Sequence, residues 1–75
     1  MEELERVALT VDLPDYQLQA GDIGMIVHVY NSGKGYEVEF VTLSGALIAL
    51  VSLYPEQIRL IDHDEIATAR RVKSA

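Results

Sequence analysis

Residues 36–40, Tyr-Glu-Val-Glu-Phe, alternate apolar and acidic side chains without a break. In an extended chain successive side chains point to opposite faces, so Tyr36, Val38 and Phe40 share one face and Glu37 and Glu39 the other. Just before them lies Asn31-Ser32-Gly33-Lys34-Gly35, a turn with two glycines able to take positive φ. Before that turn Gly24–Tyr30 alternates as well, with Ile23, Met25, Val27 and Val29 on one face and Gly24, Ile26, His28 and Tyr30 on the other. Two alternating runs around a glycine turn define a β-hairpin, and everything else in the chain must pack on it.

The hairpin's register follows from its faces, because directly opposed residues of an antiparallel pair lie on the same side. Val29 is expected opposite Tyr36, Val27 opposite Val38 and Met25 opposite Phe40, all facing the core. On the outer face His28 is expected opposite Glu37 and Ile26 opposite Glu39. A slip of one residue would drive Glu37 toward the core.

Three further strands are expected. Arg6–Val11 places Val7, Leu9 and Val11 on one face, Leu47–Leu53 is apolar on both faces, and Ile58–Ile61 is short. Asp12–Gly21, with a proline and two aspartates, reads as a long loop, and Tyr54-Pro55-Glu56-Gln57 as one turn of 3₁₀ helix. The order is strand, long loop, three-strand meander, single turn, short strand. It suits a mainly β fold, a small five-stranded SH3-like barrel over residues 1–61. Residues 62–75 change character: Asp62 or Asp64 can cap a helix, Glu65 sits in its first turn, and Arg70, Arg71 and Lys73 lie near its end. A short C-terminal helical tail is therefore expected, with a thin apolar stripe of Ile66, Ala69 and Val72 and less amide protection over 64–73 than in the barrel.

Gly21-Asp22-Ile23-Gly24 poses a choice between a ligand loop and a strand hinge. A phosphate-cradling loop needs more glycine, a following helix and usually a lysine. Here a strand follows and Asp22 would repel phosphate, so the hinge is expected.

Charge narrows the function. The chain carries a net charge of −6. Its first 61 residues hold Glu2, Glu3, Glu5, Asp12, Asp15, Asp22, Glu37, Glu39 and Glu56 against Arg6, Lys34 and Arg59, whereas the tail is neutral. A nucleic-acid binder needs clustered cations. An acidic body attracts a basic protein instead. With no cysteine there is no thiolate metal site, disulfide or thiol nucleophile. The acidic start lacks the order of a secretory signal, and the longest apolar run is too short to span a bilayer, so a cytoplasmic protein with no membrane association is expected.

The candidate partner-binding residues are Asp12, Asp15, Tyr16, Asp22, His28, Tyr30, Glu37 and Glu39. The acids would form a docking face for a basic protein, or simply a solvated face that keeps a sheet edge from pairing. Tyr16, Tyr30 and Tyr54 could line a groove for an extended peptide, with Tyr36 turned inward, or each could cover the edge of a small core. His28 and Glu37 could resemble an acid–base dyad, but a hydrolase also needs a nucleophile or metal and a pocket, so an ordinary cross-strand ion pair is expected. Asp62-His63-Asp64-Glu65 could resemble metal ligands, yet adjacent residues do not converge on one ion, and a helix cap with a solvated histidine is expected. No cofactor is called for.

The blocks VALTVDLP, LQAGDIGMIVHVY, YEVEFV and LVSLYPEQIRLI, in this spacing over roughly residues 4–61, resemble a family of small bacterial proteins classed as a domain of unknown function. The resemblance implies an SH3-like barrel and brings no catalytic residue. It also suggests an antitoxin or immunity role, since genes of such proteins often stand beside a larger partner. Gly-Asp-x-Gly followed by alternating Val and Ile is similar to the KOW motif of ribosomal and transcription-factor barrels, but the chain lacks their basic loops. A likeness to the small SH3-like subunit that docks ferredoxin in photosynthetic NDH complexes is opposed by charge, because ferredoxin is acidic too. The functional expectation is a non-enzymatic protein-interaction module, with a KOW-like nucleic-acid or ribosome-associated barrel as the alternative. Self-association through a sheet edge or the tail stays open.

Overall fold

The computed structural model describes residues 1–72. Five antiparallel strands form one sheet: β1 (Arg6–Leu9), β2 (Ile23–Tyr30), β3 (Gly35–Val41), β4 (Leu47–Leu53) and β5 (Ile58–Leu60). Their spatial order is β4-β3-β2-β1-β5, so β4 and β5 are the edges. The long loop 10–22 contains one 3₁₀ turn, Pro14–Tyr16, and a second, Pro55–Gln57, joins β4 to β5 as expected. The described residues contain no α-helix.

The alternation of β3 holds throughout, with Tyr36, Val38 and Phe40 buried and Glu37 and Glu39 half-buried on the other face. Val7, Leu9, Ile26, Val38 and Phe40 are the largest fully buried side chains. Each such side chain contributes roughly 1.5–3 kcal/mol by leaving water. Ala49, Val51 and Leu53 add β4's inward face, and Leu18 closes the core from the long loop.

The hairpin register is only half as expected. His28 pairs with Glu37 and Val29 with Tyr36, but below them the pairing shifts, so that Ile26 meets Val38 and Met25 meets Glu39. Val27 is the extra residue of a β-bulge. A bulge sets two residues of one strand against one of its partner and exchanges the faces beyond it. Hence Ile26, expected outside, is fully buried, while Met25 and Val27 are half-buried and Ile23 is exposed.

Gly24 sits where the backbone of β2 lies against the core. A β-carbon at this position would lie 2.7 Å from Val38 Cγ1 and 2.8 Å from Phe40 Cε1, so only glycine lets β2 approach the core this closely. Gly21 has φ of +95° and turns the loop into β2. A strand, and no helix, follows these two glycines, as expected. β1 is shorter than expected: it ends at Leu9, and Val11 is exposed. In the hairpin turn Asn31, Ser32 and Gly33 take positive φ, and Gly35 already belongs to β3.

The helical tail is absent from residues 62–72; Lys73, Ser74 and Ala75 lie outside the described residues. Asp62–Glu65 does begin like a helix. The Glu65 amide donates to the Asp62 carbonyl at 3.1 Å and the Glu65 carboxylate accepts the Asp62 amide at 2.8 Å. It stops after this one turn because the flanking charges bond elsewhere. Arg59 takes Glu65 with both ends of its guanidinium, at 2.7 and 2.8 Å. Further on, Arg70 reaches back to Asp22 in the long loop. A short helix with a thin apolar stripe gains too little from its own hydrogen bonds to compete.

Candidate interaction surface

The sheet has a second face, opposite the core. Cross-strand partners lie on one side of a sheet, so the register places Leu50, Glu39, Met25 and Arg6 in one outward row, with Ser52, Glu37 and His28 in the next. Tyr30 continues β2 beyond His28 and caps the second row. This face mixes acid with exposed apolar surface: Leu50 and Tyr30 are exposed beside Glu37 and Glu39. Neither β3 nor β4 contains a lysine or arginine.

Four of the eight candidate residues come together here: His28, Tyr30, Glu37 and Glu39. Their chemistry differs from expectation. Glu37 does not pair with His28, although the two are opposite in register. Its carboxylate accepts hydrogen bonds from the Ser52 and Tyr30 hydroxyls, the latter at 3.2 Å. His28 packs its ring edge-on against Tyr30, with centroids 4.5 Å apart, and its Nδ1 stands 3.8 Å from Glu3 Oε2. The expected cross-strand ion pair is therefore replaced by a hydroxyl-to-carboxylate network that fixes Glu37.

The other four candidates, Asp12, Asp15, Tyr16 and Asp22, lie on the loop before β2. Asp22 precedes the first residue of that strand and Tyr30 is its last, at most about 26 Å apart at the usual rise per residue. One continuous acidic face is thus not formed; there are two groups. Within the loop the acids do structural duty. Asp12 accepts the Ala20 amide at 2.9 Å, and Asp22 accepts the Gln19 amide at 2.8 Å. Burial pushes the Asp22 carboxyl up, but hydrogen bonds from Arg70 and the Gln19 amide, with the Arg70 charge, outweigh it and hold it below its ordinary value. Glu65 is brought down to about 2, chiefly by its hydrogen bonds to Arg59 and then by the Asp62 amide. Asp15 and Tyr16 are exposed on the 3₁₀ turn.

Two hollows mark the surface. One, of about 400 Å³, lies between Tyr30, Lys34, Ser52 and Tyr54, so Tyr30 and Tyr54 do share a groove, which Tyr16 does not reach. Tyr36 lies at its floor and is buried. The other, of about 640 Å³, runs under the tail, between Ile66, Ala67 and Thr68 and the outward side of Ala8, Ile23 and Arg59. Among the described residues no three His, Cys, Asp or Glu side chains cluster as metal ligands would, and Asp62-His63-Asp64-Glu65 is an exposed turn whose Glu65 carboxylate is taken by Arg59.

Sequence reasoning missed the partners of these residues. Ser52 could have been found from the β3–β4 register. Glu3 and Arg70 could not, since both come from irregular segments far away in the chain.

The molecule is thus a small antiparallel β domain whose distinguishing surface is an acidic and apolar sheet face. Its residues 3–60 match the family described as a domain of unknown function (DUF4926), and the chain belongs to that family. No curated protein and no solved structure matches it. Among the described residues no helix is long and apolar enough to cross a membrane.

Proposed function

We propose that the protein is a non-enzymatic interaction module that docks a basic protein on the outward face of β2, β3 and β4. One observation carries the reading: Glu37 and Glu39 stand among exposed Tyr30 and Leu50 on a face whose strands β3 and β4 carry no cation. Interfaces combine an apolar centre with charged groups that choose the partner, and acid beside apolar surface fits a basic partner. The Ser52 and Tyr30 hydroxyls hold Glu37 in place, which lowers the entropy lost when a cation docks on it. In this reading the sheet is a strongly bent SH3-like barrel, a form that suits the strand order and the 3₁₀ turn before β5. A narrower form makes the protein a cytoplasmic antitoxin or immunity-type protein that restrains a basic partner. It rests on the resemblance to small bacterial proteins.

The test is capture from the source cell by the intact chain, beside a Glu37→Lys/Glu39→Lys variant whose folding is checked by its unfolding midpoint. Recovery of one basic protein, lost in the variant, supports the proposal. Recovery of RNA or ribosomal material, retained or increased in the variant, overturns it in favour of the KOW-like alternative, because added lysines strengthen phosphate binding.

A further inference from the structure

The loop before β2 holds a guanidinium. Arg70 Nε donates to Asp22 Oδ1 at 2.8 Å, Nη2 donates to Asp22 Oδ2, and Nη2 also donates to the Gln17 carbonyl at 3.0 Å. Two carboxylate oxygens and one carbonyl therefore meet the fork of one arginine, a pattern that a lysine ammonium cannot reproduce. Water is partly excluded from the pair: the Arg70 and Asp22 side chains are 29% and 18% exposed.

The acceptors are held by the body, independently of the tail. Asp22 Oδ2 is fixed by the Gln19 amide. Gln17 is in the left-handed conformation, with φ of 60°, and its own amide bonds the Pro14 carbonyl. Leu13 and Leu18 bridge the loop across its base, and Leu18 is buried in the core. The Gly21 amide ties the loop end to the Leu9 carbonyl at 2.8 Å.

The tail, by contrast, has little else to hold it there. Residues 66–71 are exposed, and among the described residues beyond Glu65 only Arg70 hydrogen-bonds the body. We propose that Asp22 and the Gln17 carbonyl form an arginine-binding site that Arg70 fills in cis, and that an arginine-bearing peptide segment of a partner enters it by displacing the tail. Arg59 pins Glu65, so only residues 66–69 lie between that anchor and Arg70, and a short flexible tether supplies an effective concentration in the millimolar range. The tail thus sets a threshold: a lone arginine loses to it, and a partner with additional contacts displaces it. The site lies at the opposite end of β2 from Tyr30. It stands without the docking face proposed above, and either can fail alone.

The test is titration of the full-length chain with the free peptide of residues 66–72, Ile-Ala-Thr-Ala-Arg-Arg-Val, followed by amide NMR. The Arg70→Ala chain should bind it with shifts centred on Gln17–Ile23, and the intact chain should need about fivefold more peptide. A peptide carrying Arg70→Lys should bind the same chain at least fivefold more weakly, and the Asp22→Asn/Arg70→Ala chain should show no shifts in the loop. Asparagine keeps an acceptor for the Gln19 amide, so unchanged Gln19 and Ala20 amides in that chain check that the loop is intact. An Arg70→Ala chain that ignores the peptide overturns the proposal. So does equal binding by the intact chain, by the Asp22→Asn/Arg70→Ala chain, or of the lysine peptide.

Discussion

Strand β3 and the tail are both well defined, and different forces hold them. β3 is paired on both sides, by β2 and β4, and drives Tyr36, Val38 and Phe40 into the core. Its position is settled by burial and by a ladder of backbone hydrogen bonds. Residues 62–71 are exposed along their whole length and join no strand. Their course is set by two arginines, one on each side of the junction: Arg59 of β5 closes on Glu65, and Arg70 of the tail closes on Asp22. The same chain thus carries one region locked by the removal of apolar surface and one latched by ion pairs. The first fails only with the whole domain, while the second can open by itself.

That contrast can be broken most severely at Phe40. Phe40→Ala should destabilise the domain by about 3–5 kcal/mol, as large-to-small changes at fully buried aromatics do. A chain of this length has roughly 4–11 kcal/mol in total, so denaturant unfolding should show a collapse of the midpoint, with β3 and the tail lost together. Gly24→Ala comes next. Its β-carbon would press on Val38, Phe40 and the Glu39 carbonyl, the last at 3.0 Å. Relieving that overlap should cost about 1–3 kcal/mol, read from the same denaturation curve. If Gly24→Ala were neutral, β2 would not depend on glycine for its approach to Val38 and Phe40.

These two residues also show how far the fold is legible in the sequence. Phe40 belongs to an unbroken alternation, and period two places it inward with nothing further known. The upper half of the hairpin register, Val29 with Tyr36 and His28 with Glu37, follows from the same logic. The lower half fails at Val27. A bulge leaves no mark in a run such as Met-Ile-Val-His-Val, where both phases offer apolar residues, so the exchange of Ile26 and Met25 between faces was hidden. Gly24 was legible as part of a strand but not as a point of contact with Val38. The tail was misread for a different reason. Its local signals, an acidic start and a basic end, are those of a helix, but Glu65 and Arg70 have partners elsewhere, and Arg70 finds its own 48 residues away. The candidate surface divides the same way: Glu37, Glu39, His28 and Tyr30 share a face because the strands do, whereas the loop acids were placed with them on charge alone.

A smaller effect is expected at the latch. Arg70→Ala should change global stability by about 1 kcal/mol or less, because a partly exposed pair contributes little. Amide exchange over residues 66–72 should nevertheless rise to that of an open chain, while Tyr36–Val41 keeps its protection. Loss of protection in β3 as well would show that the tail supports the sheet, and the two regions would then be one cooperative unit.

Acid should open the tail by the same route with the protein unaltered. Glu65 has its carboxyl lowered from 4.5 to about 2 in the folded chain, first by Arg59, and Asp22 is lowered as well, where Arg70 and the Gln19 amide outweigh burial. A group with a depressed folded value binds its proton more readily when released, so it favours the closed state above its ordinary value and ceases to do so as the pH falls through the folded one. Both pairs therefore hold the tail at neutral pH; the Glu65 pair weakens as the pH falls below 4.5 and is lost as it passes through about 2, and the Asp22 pair weakens as the pH falls below 3.8. Arg59 and Arg70 stay charged throughout, so the carboxylates alone set the window. Tail amides followed by NMR in this range should lose their dispersion before those of Tyr36–Val41. Replacing Glu65 with Gln should remove the Arg59 share of the change and leave the Asp22 share. If the tail and β3 instead melted at one pH in both chains, the ion pairs would not be what separates the two regions.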